Sequence, residues 1–380
     1  MDKKRTIGSK VFGVKFLPLY LVAFLLCLGC TAKQTEPAKT QAQQLFERLD
    51  TLRQHGYMFG HQDDPFYGLT WDYQKDSSDV KNVCGDWPAV MGFELGGIEM
   101  GDAKNLDSVP FDTMREEIIK HHLRGGIITI SWHPRNPLTT TDEGGVWPQG
   151  TAWDVSDSTV VKNILPNGTQ YERFQMWMQR LSDFLATLKT DDGLPVPIIF
   201  RPWHENTGSW FWWGEKLCTA EEYKALWNML QDKLTQDGFD NLLWAYSPGM
   251  AADLTAEKYL ERYPGDDRIG LVGIDGYQWG TKEAFVSQLD QNLAMLCQFA
   301  KERGKIAALT ECGLKNLTDS TWWTSTLTPV LDKYPISYFL VWRNYKEEWF
   351  GPSPSKPDAP YFREMYQKKE TLFLNDILAP

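Results

Sequence analysis

Eight short apolar, strand-like runs alternate along the chain with amphipathic helical stretches, and nearly every run ends in polar or aromatic residues. No stretch between them reads as an interdomain linker. These three observations predict an α/β fold, a (β/α)8 TIM barrel forming a single catalytic domain over residues 45–380. A doubly wound open sheet is the alternative. It requires a Gly-rich phosphate turn after an early strand, whereas the first run here ends in Gly60-His-Gln-Asp63.

Residues 41–54 carry helical periodicity ahead of the barrel. The strand-like runs fall at 57–60, 88–93, 126–132, 196–200, 242–246, 269–274, 306–310 and 338–342. Helical patterns occupy 111–124, with Met114, Ile118 and Ile119 on one face, and 171–189, 220–236, 282–303 and 320–333. A barrel of this kind gathers its chemistry at the C-terminal ends of its strands. Those ends carry His61, Gln62, Asp63 and Asp64 on the first strand, Glu94 on the second, and Ser131, Trp132 and His133 on the third. The fourth ends in Arg201-Pro-Trp-His-Glu205 and the fifth in Ser247. Asp275 and Tyr277 end the sixth, Glu311 the seventh, and Trp342-Arg-Asn344 the eighth. One such end means little; eight on one face describe a site.

The first residues are set apart from this pattern. Lys3, Lys4, Arg5, Lys10 and Lys15 precede an apolar run over 16–29 that ends at Cys30. A basic start, an apolar run of this length and small residues before a cysteine describe a secretory signal peptide over 1–29. The run is short for a membrane span. Leu26-Cys-Leu-Gly-Cys30 resembles a bacterial lipoprotein box, which implies a lipid-modified Cys30 and a flexible tether over 30–44. The expected location is the bacterial cell envelope, periplasmic or on the outer-membrane surface, with membrane contact only through the lipid.

Five of the 39 basic and one of the 50 acidic residues lie in 1–29; without them the net charge is −15. That excludes nucleic acid as a partner and suits a neutral substrate. The 17 tryptophans exceed what a core needs, and indoles are flat platforms for sugar faces. Cys84, Cys218, Cys297 and Cys312 show no zinc spacing, so neither metal nor cofactor is expected.

Glu205 and Glu311 end strands that face each other across the mouth. Two carboxylates flanking a cleft are the equipment of glycoside hydrolysis. One must hold a proton for the leaving oxygen, and Glu205, among Trp203, Trp210, Trp212 and Trp213, suits that role. Glu311 must stay ionised and needs a donor, either Tyr277 or Arg343. Arg201, beside Glu205 in sequence, reads as a supporting residue that forms an ion pair with it. Carboxyl groups about 5–5.5 Å apart make such a mechanism retaining.

The segment Arg201-Pro-Trp-His-Glu-Asn-Thr-Gly-Ser-Trp-Phe-Trp-Trp-Gly214 resembles the acid/base segment of glycoside hydrolase family 26, the β-mannanase family. Phe59-Gly-His-Gln-Asp63, Ser131-Trp-His-Pro-Arg-Asn-Pro137, Asp275-Gly-Tyr277, Thr310-Glu-Cys-Gly313 and Val341-Trp-Arg-Asn344 agree with it in order. The resemblance implies Glu205 as acid/base and Glu311 as nucleophile, with Tyr277 orienting the latter. It implies His133, His204 and Trp342 around the reacting sugar, Trp210 stacking near the scissile bond, and Arg343 contacting substrate. The expected activity is that of a monomeric, retaining, endo-acting β-1,4-mannanase on mannan or galactomannan. Mannobiose release, action on mixed-linkage β-glucan or xylan, and a non-catalytic polysaccharide-binding lipoprotein stay open. The loop 143–153, with Trp147 and Trp153, is expected to wall the cleft.

Overall fold

The computed structural model describes residues 38–141 and 147–378, together with Gly13. The expected signal peptide, Cys30 and most of the tether lie outside these residues, as do positions 142–146. Eight strands form the barrel: β1 (Tyr57–Gln62), β2 (Val90–Glu94), β3 (Ile127–Trp132), β4 (Ile198–Pro202), β5 (Leu242–Tyr246), β6 (Leu271–Tyr277), β7 (Ile306–Gly313) and β8 (Tyr338–Val341). Each pairs in parallel with the next, and β1 meets both β2 and β8, which closes the sheet. Of all residues in these strands, only Tyr277 is not fully buried. Burial on both faces is why the runs read as continuously apolar and not as alternating. Lys39–Pro380 forms one compact unit, so the single-domain barrel expected from the sequence is the fold observed.

A two-residue strand, β9 (Thr371–Leu372), was not expected. It pairs with Tyr57 and Met58 of β1, below Gly60, where β1 begins to pair with β2. Two residues are too few to show a periodicity.

The helices Phe111–Leu123, Tyr171–Ala186, Ala220–Gln236 and Lys282–Arg303 fall within or on the expected segments. Thr219 and Thr281 start the last two by accepting from the backbone N–H of Glu222 and Ala284. The segment 320–333 differs from expectation. A π-helical turn at Trp323–Leu327 gives way to a short helix at Thr328–Leu331, where Pro329 cannot donate to the preceding turn. Among the described residues no helix is long and apolar enough to cross a membrane.

Both ends of the barrel carry a local feature that bears on the site. Helix Gln41–Leu52 lies across the N-terminal ends of the strands. Ala42 donates to the carbonyl of Asp240 (3.1 Å), just before β5, and Arg48 to that of Gly125 (2.6 Å), just before β3. At the opposite end, β7 carries one extra residue relative to both neighbours. Ile274 pairs with Leu309 but Asp275 with Glu311, and on the other side Phe339 pairs with Leu309 but Val341 with Cys312. Thr310 is therefore a bulge directly ahead of Glu311, and bulges re-aim the side chains beside them.

Candidate active site

β4 ends at Pro202, and the chain then turns sharply. Trp203 and Glu205 both take left-handed backbone angles, φ 54° and 53°, which non-glycine residues adopt at a cost of ~1–2 kcal/mol each. The turn is over-determined by its surroundings. Tyr223 donates to the carbonyl of Trp203 (2.8 Å), Trp213 to that of His204 (2.8 Å), and the Glu205 N–H to that of Ser247 (2.8 Å). Trp203, Trp212 and Trp213 are fully buried, and Trp212 donates to the Pro134 carbonyl (3.0 Å). These three indoles build the turn from below. Of the four tryptophans expected to surround Glu205, Trp210 is the one that meets its carboxyl group, donating to Oε2 at 2.6 Å while 47% exposed.

Burial, and after it the charge of Glu311, pushes the Glu205 carboxyl up to about 7, so the group is available as a proton donor near neutrality. Glu311 is held differently. Tyr277 donates to its Oε2 (2.7 Å) and Arg201 to its Oε1 in a very short contact. Two donors, one of them a guanidinium, fix the orientation of its carboxyl group. Arg201 also donates to Asp275 (2.7 Å) and Ser247 (3.1 Å). Burial alone would lower the Arg201 pKa, but Asp275 and Glu311 outweigh it and hold the guanidinium charged.

Two expectations are thus corrected. The ion pair of Arg201 is with Glu311 and Asp275, not with Glu205, because a strand-end side chain reaches across the barrel more easily than past its own turn. Arg343 does not hold Glu311. Its Nε lies 3.0 Å from Asp107 in the loop after β2.

Oxygens of Glu205, Asp275 and Glu311 lie within 4.8 Å of one another. Three carboxylates this close demand a cation, and Arg201 supplies it to two of them. Oxygens this close are in keeping with the short carboxyl separation of retaining glycosidases.

Three hollows join into one groove across the mouth. The central one, about 360 Å³, is lined by Glu205, Glu311, His133, His204 and Trp342. Trp153, from the long loop after β3, stacks on His133 with ring centroids 5.3 Å apart. A second hollow, about 380 Å³, includes Glu205 but not Glu311, with Trp210, Met250, Tyr277 and Trp279. A third, about 470 Å³, includes neither, and holds Asp107, Arg343, His133, Trp147 and Trp153. The second hollow thus meets the pair at Glu205 alone, and the third meets the central one at His133 and Trp153, with neither glutamate in its lining. Trp279 and Met250 are site residues that reasoning from sequence passed over, and Asp275, expected at the strand end, gains a defined partner in Arg201. Trp279 stands two positions after Tyr277, one strand period, which is the signal that could have found it.

Comparison with known proteins agrees with this geometry. The profile of Glycosyl hydrolase family 26 matches residues 34–367. A mannan endo-1,4-beta-mannosidase of Bifidobacterium adolescentis is 30% identical over 364 residues, which span 89% of this chain and 35% of that protein. One from Bacillus subtilis is 26% identical, spanning 96% of this chain and 97% of its own length. The solved structure of a beta-mannanase of the same family from Bacteroides ovatus superposes with a TM-score of 0.84 at 46% identity, covering 88% of this chain and 95% of that one. With the profile spanning nearly the whole barrel and the fold shared, the chain belongs to glycosyl hydrolase family 26.

Proposed function

We propose that the protein is a retaining endo-1,4-β-mannanase, with Glu205 as acid/base and Glu311 as nucleophile. The observation that carries this reading is the pair itself: two carboxylates with oxygens within 4.8 Å, one favouring its proton and the other held by Arg201 and Tyr277. In the first step Glu205 gives its proton to the glycosidic oxygen while Glu311 attacks the anomeric carbon, so the sugar–oxygen bond breaks as the ester to Glu311 forms. In the second, Glu205 takes a proton from water, and the resulting hydroxide displaces Glu311. His133, His204 and Trp342 surround the reacting sugar, and Trp210 lies against the bond to be cut. Arg343 contacts substrate in the third hollow. Hollows on both sides of the pair support cutting within a chain, and the names of the relatives support mannan as that chain.

Glu205→Gln and Glu311→Gln are each expected to lower kcat on mannan by about 10³-fold or more, the scale of lost acid–base or nucleophilic catalysis. Full activity in either variant ends the assignment. A time course of products from linear mannan, galactomannan, lichenan and xylan identifies the polymer, and a mixture of lengths at early times marks internal cutting.

A lipid anchor at Cys30 and a place in the cell envelope are carried by the sequence of the first thirty residues; the tether expected to residue 44 stops short of that, because Gln41–Leu52 is helical. Cys30→Ser is expected to move the protein from the membrane fraction to the soluble one; an unchanged distribution overturns the anchor.

A further inference from the structure

Three residues from three strand ends form a chain beside the central hollow: Glu94 closing β2, His133 just past β3 and His204 past β4. The roles assigned above leave Glu94, at its base, without a task. Glu94 is fully buried. Its Oε1 accepts from the N–H of Gly96 (2.6 Å) and of His133 (2.7 Å), and its Oε2 from Ser131 Oγ (2.6 Å) and His133 Nδ1 (2.7 Å). Four donors on one carboxylate favour its ionised form. Among those donors, only the His133 ring can carry the balancing charge.

At its other nitrogen, His133 Nε2 lies 2.8 Å from His204 Nε2. Two imidazole nitrogens at this distance share one proton, since two lone pairs would repel. With the proton on His204, His133 is neutral. With the proton on His133, that ring is an imidazolium donating from both nitrogens, and His204 is a neutral ring protonated at Nδ1. The two arrangements differ by one proton, and the surroundings choose between them. His133 is faced by Glu94 from β2, Asp107 from the loop after it, Glu205 from the turn after β4, and Glu311 from β7. His204 is faced by Arg201 and by His133 itself. Carboxylates around one ring and a guanidinium beside the other place the charge on His133.

We propose that Glu94 is a positioning residue of the reaction: through His133 it holds a positive charge beside Glu205 and Glu311, and it sets which nitrogen of His204 carries a proton. The role in the reaction rests on the acid and nucleophile assignments above; the protonation pattern does not. Consistent with the geometry, the His133 pKa is raised. Burial would lower it, and Glu94, with Glu311 and Glu205 behind it, outweighs that effect. The His204 pKa is pushed well down by burial and then by Arg201.

The test is nitrogen NMR of the histidine-labelled full chain, which has six histidines to assign, together with the pH profile of kcat/KM on mannan. At pH 7 the wild-type chain is expected to show His133 protonated at both nitrogens and His204 at Nδ1. In Glu94→Gln, His133 becomes neutral and the His204 proton moves to Nε2. Glu205 then loses a neighbouring cation, and the alkaline limb of the profile rises by roughly half a pH unit. Glu94→Asp keeps the charge and is expected to return both signatures toward wild type. A neutral His133 in the wild-type chain overturns the proposal whether or not the variants fold. So does an imidazolium pattern that survives Glu94→Gln, or a changed pattern with an unmoved limb. Failure of the catalytic assignment is separate, because activity in Glu205→Gln would reveal it while the nitrogen pattern stood.

Discussion

Glu205 and Glu311 are the same residue type at strand ends facing each other, and their surroundings hold them differently. Glu205 sits on a strained turn with one donor, Trp210, so burial keeps its proton on up to about pH 7. The expected consequence is an alkaline limb in kcat/KM near pH 7, measured by initial rates on mannan from pH 5 to 9. Glu311 receives Tyr277 and Arg201. Tyr277→Phe removes one of those donors without changing the cavity much, and kcat/KM is expected to fall by about 10²-fold with the melting temperature nearly unmoved. The placement of both glutamates at the mouth was legible in the sequence, because charged groups at the end of apolar runs are costly unless used. The partner of Arg201 was not. Asp275 and Glu311 lie 74 and 110 residues along the chain, and pairing at that range is decided by barrel closure.

Strand positions were legible for a physical reason: parallel strands buried on both faces must be apolar throughout. Where that constraint lapses, sequence reading lost its grip. Short helices such as Asp79–Cys84 and Val160–Ile164 carry too few turns for a periodicity, and Pro329 broke a segment that otherwise read as one helix. The bulge at Thr310 belongs to this class, since nothing in Leu309-Thr-Glu311 marks an extra residue. Its hydroxyl lies 2.6 Å from Asp275 Oδ1 and 3.0 Å from the Ile274 carbonyl, sharing its one proton between them and tying β7 to β6 where the register shifts. Thr310→Val keeps the shape and removes both bonds. It is expected to cost about 1–3 kcal/mol, read from denaturant unfolding, and to lower kcat more than it raises KM because Glu311 loses its aim.

Over the whole molecule, the mouth of the barrel is assembled at the expense of stability. Asp275, Glu311 and Glu205 crowd around one guanidinium, and the turn that presents Glu205 holds two residues in left-handed conformations. The Glu205 carboxyl binds its proton more tightly in the folded than in the unfolded chain. The native state therefore loses stability as pH rises from about 4.5 through about 7. Glu205→Gln has no such proton to lose. It is expected to melt above the wild-type chain at pH 8, with the gap closing toward pH 4.5, while hydrolysing little. A gap that is constant with pH would contradict this account.

The helix at Gln41–Leu52 has a directional consequence. It lies under the barrel, bonded to the backbone just ahead of β3 and β5, while Glu205 and Glu311 open at the far end of the same strands. The chain thus enters the domain on the face opposite its groove. Immobilisation through the N-terminus is expected to preserve turnover of long mannan chains, whereas coupling through Trp279 or the loop bearing Trp147 would block the groove at its ends.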